Sequence, residues 1–110
     1  MIRRLFVTGL LVAAGAGALA ATDGPGSPAS GRRLAVELCR ECHVVSPDQD
    51  RSGKEPGPDL TQRVRNPAIT ELALRSYLQT SHPVMPNIML SQEQADDLIA
   101  YLLTFKRGPR

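Results

Sequence analysis

Tryptophan is absent from this chain of 110 residues, which has only two tyrosines, two phenylalanines and two cysteines. With so few rings the side chains are poorly equipped to fill a core alone, and small exported domains lean on disulfides, a metal or a cofactor. The length allows one small domain and excludes a multidomain enzyme. No segment alternates apolar and polar residues over the length of a strand, so the pattern points away from sheets and toward an all-α chain. Lysine is scarce, with Lys54 and Lys106 alone. There is no internal repeat.

The N-terminal segment MIRRLFVTGLLVAAGAGALA sets two arginines before an uncharged apolar run and ends on Ala18-Leu19-Ala20. That order of basic, apolar and small residues predicts a signal peptide over 1–20, exported by the general route and removed. The alternative is an uncleaved anchor, since the uncharged stretch from Leu5 to Ala21 is near the short limit for crossing a bilayer. Cleavage leaves 90 residues, and without Arg3 and Arg4 the basic residues equal the eleven acids. A neutral domain has no electrostatic case for binding nucleic acid. Docking that depends only weakly on salt is expected for the same reason.

Residues 21–30, ATDGPGSPAS, read as a flexible lead-in, with the domain spanning 31–110. Gly31, Leu34, Ala35, Leu38, Cys39 and Cys42 recur at helical spacing behind Ser30 as N-cap. Residues 46–57 carry too many turn formers for regular structure. Asn66-Pro67 predicts the start of a second helix with Ile69, Leu72, Ala73 and Tyr77 on its apolar side and Leu74 and Leu78 alongside, stopped by His82-Pro83. The last helix has the clearest signals. Ser91 and Gln94 fit a capping box, Ala95, Leu98, Ile99, Leu102 and Phe105 form a stripe, and Gly108-Pro109 follows Lys106-Arg107. About three helices joined by long loops are expected, and such loops in so small a domain need something to pack against.

The chemical signal is Cys39-Arg40-Glu41-Cys42-His43. Two thiols on one side of a helical turn can add to the two vinyl groups of a haem, and His43 is then held beneath the iron by its own backbone. Three rival readings exist. A disulfide oxidoreductase expects a βαβ context. A zinc site would have Cys39, Cys42 and His43, with His82 as the remaining strong candidate, but export disfavours free thiolates. A structural disulfide leaves His43 without a role.

At this point the chain resembles the small monohaem class I c-type cytochromes of bacteria. Cys39 to His43 is the haem motif, Gly57-Pro58-Asp59-Leu60 is similar to the Gly-Pro-x-Leu segment of the family, and His82-Pro83-Val84-Met85-Pro86-Asn87 is similar to its methionine loop. The run Asp97 to Leu102 resembles the terminal helix, whose aromatic packs near a glycine of the first helix, here Gly31. The resemblance implies a cytochrome c-like fold around one haem c, covalent through Cys39 and Cys42. It further implies His43 and Met85 on the iron, and Pro58 and Leu60 beside the haem, the Pro58 carbonyl accepting a hydrogen bond from His43. The indole that many relatives aim at a haem propionate is missing, and Arg65 and Asn87 are conjectures for that part. The lysine collar by which some relatives dock is not evident either.

With both axial positions taken, no site is open to substrate, so the chain is expected to be an electron carrier and no enzyme. The expected setting is the periplasm, or the membrane surface if the signal is kept. A monomer is expected, moving electrons between a donor dehydrogenase or quinol-oxidising complex and a terminal oxidase or reductase. The alternatives are a haem subunit docked permanently on a periplasmic dehydrogenase and a small-ligand sensor in which Met85 leaves the iron. Met89, between Ile88 and Leu90, reads as core filling, and His82 as an exposed loop residue rather than a ligand. Tyr77, Tyr101, Leu60, Leu78 and Leu98 read as core, or as the pocket if a haem is present.

Overall fold

The computed structural model describes residues 25–51 and 56–107. The expected signal peptide, the start of the lead-in and the Gly108-Pro109 ending lie outside the described residues. Four α-helices follow one another: α1 Pro28–Leu38, α2 Leu60–Arg63, α3 Glu71–Leu78 and α4 Gln92–Thr104, with a final 3-10 turn Phe105–Arg107. There is no strand among the described residues.

Helix α1 begins three residues before Gly31, inside the stretch expected to be a flexible lead-in. Its cap is Ser27 and not Ser30, because Ser27 Oγ accepts the Ser30 backbone N–H and Pro28 supplies the first-turn proline that needs no donor partner. The Ser27 backbone N–H is in turn donated to Asp97 Oδ1 at 2.6 Å, pinning the start of α1 to α4. Asn66-Pro67 does not start a helix. Asn66 Oδ1 accepts the Ala68 N–H in a local turn, and α3 starts later, behind Thr70, whose hydroxyl accepts the Ala73 N–H. The capping box of α4 is complete, with Ser91 and Gln94 each bonding the other's backbone N–H.

The main packing contact pairs α1 with α4. Gly31 makes it possible, because a β-carbon there would run into the Asp97 carbonyl and the Tyr101 β-carbon. Ala35, Val45, Val64, Leu98, Tyr101 and Leu102 form the buried cluster. Tyr101 spends its polar end inside this core by donating its hydroxyl to the Val45 carbonyl at 2.7 Å, which ties α4 to the loop after the cysteines. Arg75 joins α3 to α4, reaching Asp96 at 2.6 Å and Glu71 at 3.2 Å. Three residues expected inside are outside: Leu72 is 75% exposed, Tyr77 60% and Met89 84%. The helical period gives the separation of apolar positions, and in α3 the inner face is carried by Leu74 and Leu78, which pack on the cluster with Leu60.

Candidate functional site

The site is built on the end of α1. Cys39 is the C-cap of that helix and donates its N–H to the Ala35 carbonyl, after which the Cys42 and His43 N–H groups both fold back to the Cys39 carbonyl at 3.1 and 2.9 Å. The pentapeptide is therefore one compact turn continuing the helix, with Cys39 and Cys42 as free, half-buried thiols. Burial first, and the neighbouring Cys42 second, push the Cys39 thiol above its ordinary range. An activated redox thiol is held below it.

Loop 56–60 is strapped alongside this turn. Gly57 donates its N–H to the Cys42 carbonyl at 2.7 Å, and Leu60 donates to the Val44 carbonyl at 2.9 Å. Between them His43 Nδ1 lies 2.8 Å from the Pro58 carbonyl oxygen, which can only accept, so Nδ1 is the donor and the ring is held with Nε2 turned away from the strap. Gly57 is needed here, since a β-carbon would fall on the His43 ring and the Cys42 carbonyl. Asp59 fixes the strap from below by capping α2 through the Thr61 and Gln62 N–H groups and by pairing with Arg51 at 2.8 Å. Gln49 holds the other side, donating to the His43 carbonyl at 3.0 Å and accepting the Val45 N–H at 2.9 Å. No sequence signal marked Gln49 or Arg51, because their partners are backbone and a single carboxylate distant in the pattern.

At Cys39 a cleft opens between α1, α3 and α4. Leu38, Cys39, Leu78, Leu90 and Leu98 give it apolar walls, and Met85 and His82 come to it from the loop between α3 and α4. Cys39 thus joins the cleft to the cysteine turn, whereas Cys42, His43, Pro58 and Leu60 lie outside its lining. Val84, just before Met85, has φ +74°, a left-handed conformation that a β-branched residue adopts only at a cost. The bend leaves Val84 96% exposed and Met85 lining the cleft. His82, expected in solvent, has its Nε2 buried without a partner, and its ring lies on Tyr77 with centroids 3.7 Å apart. Arg65 instead donates to the Thr61 carbonyl of its own turn, while Asn87 lines the cleft.

These features fit a haem. The histidine is oriented with one nitrogen spare, a soft sulfur lines an apolar cleft, and a buried histidine nitrogen waits for a partner. The rivals fare worse: no βαβ context surrounds the cysteines, and among the described residues no three His, Cys, Asp or Glu side chains gather as a metal site.

Comparison with known proteins points the same way. The chain is 34% identical over 85 residues to cytochrome c-552 of Bradyrhizobium diazoefficiens, covering 77% of this chain and 76% of that protein. No family model and no solved structure matches. Identity of that extent, on a helical fold with the haem motif at the end of its first helix, shows that the chain belongs to the c-type cytochromes.

Proposed function

We propose that this cytochrome is an exported, monomeric one-electron carrier of the periplasm, with one haem c attached through Cys39 and Cys42 and held by His43 and Met85. The single observation that carries this is the 2.8 Å contact of His43 Nδ1 with the Pro58 carbonyl, supported by Met85 lining the cleft. When bound, the haem supplies a one-electron ferric/ferrous couple.

The protein's own groups tune and guard that couple. His43 presents Nε2 in a fixed orientation, and the Pro58 carbonyl, by accepting from Nδ1–H, increases the basicity of the ring. With the haem bound, the Met85 thioether would favour the ferrous state and raise the potential, as would the apolar walls of Leu38, Leu78 and Leu98 by disfavouring the extra charge of the ferric state. Pro83 and Pro86 restrict the chain around Met85, lowering the entropy lost in holding its sulfur in place. With His43 and Met85 both holding the haem, no position would be left for a substrate, and the group would supply one-electron exchange with other redox proteins. A donor dehydrogenase or quinol-oxidising complex on one side, and a terminal oxidase or reductase on the other, fit an exported carrier. Among the described residues no helix is long and apolar enough to cross a membrane.

Intact mass spectrometry after acid and organic extraction tests the attachment. The expected mass is that of the chain beginning at Ala21 plus one haem. A bare chain with two free thiols, or one with zinc, overturns the proposal, and a haem on the uncut chain overturns its signal-cleavage part.

A further inference from the structure

Among the described residues, the buried side-chain atom left without a hydrogen-bond partner is His82 Nε2. Buried polar groups in native proteins are nearly always paired, so the missing partner is something the folded chain itself does not supply. The surroundings narrow its chemistry. His82, with Thr80, Ser81 and Asn87, gives polar lining to a cleft whose other walls are leucine, isoleucine, methionine, Pro86 and Cys39. The ring itself is fixed by its contact with Tyr77, at 3.7 Å between centroids and 46° between planes.

We infer that His82 Nε2–H donates a hydrogen bond to a haem propionate, with Asn87 beside it, and so positions the cofactor and raises its potential. The inference rests on the haem reading above and goes beyond it. Apart from the iron, the hydrogen-bonding groups a haem offers are its two carboxylates, and in a largely apolar cleft these belong beside its polar lining residues. A reserve ligand for the iron is the competing role, but it leaves Nε2 unpaired for as long as Met85 holds the metal, and the orphaned nitrogen needs a partner in the resting state. Arg65 is not a competitor, since it does not line the cleft, and its Nε donates to the Thr61 carbonyl at 3.2 Å. A hydrogen bond to a charged acceptor is among the stronger ones, and it draws negative charge away from the iron, which favours the ferrous state.

The test uses the full haem-loaded protein. In the wild type, the His82 Nε2–H proton should exchange slowly with water and show a through-space NMR contact to a propionate methylene. His82→Phe keeps a ring for Tyr77 to pack on and removes the donor, so its midpoint potential should fall below wild type. His82→Gln keeps a donor without the ring and should lie nearer the wild-type potential. Fast exchange and no propionate contact in the wild type overturn the inference, whether or not the variants fold. So does an unchanged potential in His82→Phe that still carries its haem and its ligated methionine signal. Those outcomes leave the haem reading standing, whereas a wild-type protein without haem overturns both.

Discussion

The helix pair α1 and α4 and the loop from Gln79 to Leu90 are the two extremes of this molecule. Where the helices cross, a glycine lets the backbones meet, Ala35, Leu98 and Leu102 are sealed from water, and the helix starts are capped by Ser27 and Ser91. In the loop, Val84 is left-handed and 96% exposed, Met89 is 84% exposed, and His82 keeps a buried nitrogen unpaired. One region satisfies itself; the other leaves a buried nitrogen for which the proposed haem would be the partner. With so few aromatic residues, the side-chain core is small, and the proposed haem in the cleft would add to it.

The largest effect expected of any change is on the shared border of the two regions. Replacing Cys39 and Cys42 together by alanine removes the proposed attachment, and the double variant should accumulate poorly and melt far below the haem-loaded protein. Wild-type-like thermal stability without haem would mean that the helices stand alone. Within the helix pair, Gly31→Ala puts a β-carbon against the Asp97 carbonyl and Tyr101, and about 1–3 kcal/mol of stability should be lost in denaturant unfolding. An unperturbed midpoint would show that the helices can move apart at no cost.

Tyr101→Phe is expected to cost about 1 kcal/mol by leaving the Val45 carbonyl unpaired. The same bond gives a pH signature. Burial holds the Tyr101 phenol above its ordinary value of about 10, so the native state favours the neutral, donating form. Its contribution is complete below that value and fades as pH rises through the raised one, so unfolding followed from neutral to alkaline pH should show a loss that Tyr101→Phe lacks. Smallest is Val84→Gly in the loop. Relief of the left-handed strain should change stability by about 1 kcal/mol or less in the favourable direction, while the freed backbone loosens the hold on Met85.

The two regions also differed in how much of them could be read from the sequence. The capping box and stripe of α4 were legible because each signal is local and several agree. The haem motif was legible because its chemistry sits in five consecutive residues. Gly31 as the crossing point was suggested by resemblance and is where the β-carbon has no room. The start of α1 was displaced because Ser27 and Ser30 are equally good caps, and the Asp97 carboxylate that fixes Ser27 is seventy residues away. Helix α2 escaped notice because its single turn, four residues long, has no period, and Asp59 caps it from within a loop. Asn66-Pro67 imitates a helix start and makes a side-chain turn instead. The loop was the least legible. Periodicity says nothing about which way Met89 or His82 turns, and a left-handed valine goes against the residue's own preference.

Met85 as the axial ligand, ahead of Met89 and His82, is the claim on which the carrier function depends. Paramagnetic NMR of the oxidised and reduced protein tests it most directly, because a methionine methyl on the iron is strongly displaced by the haem. The displaced methyl should be present in the wild type, survive Met89→Leu and His82→Ala, and vanish in Met85→Ala together with a drop in potential. A signal that persists in Met85→Ala, or disappears in Met89→Leu, would contradict the ligation proposed here.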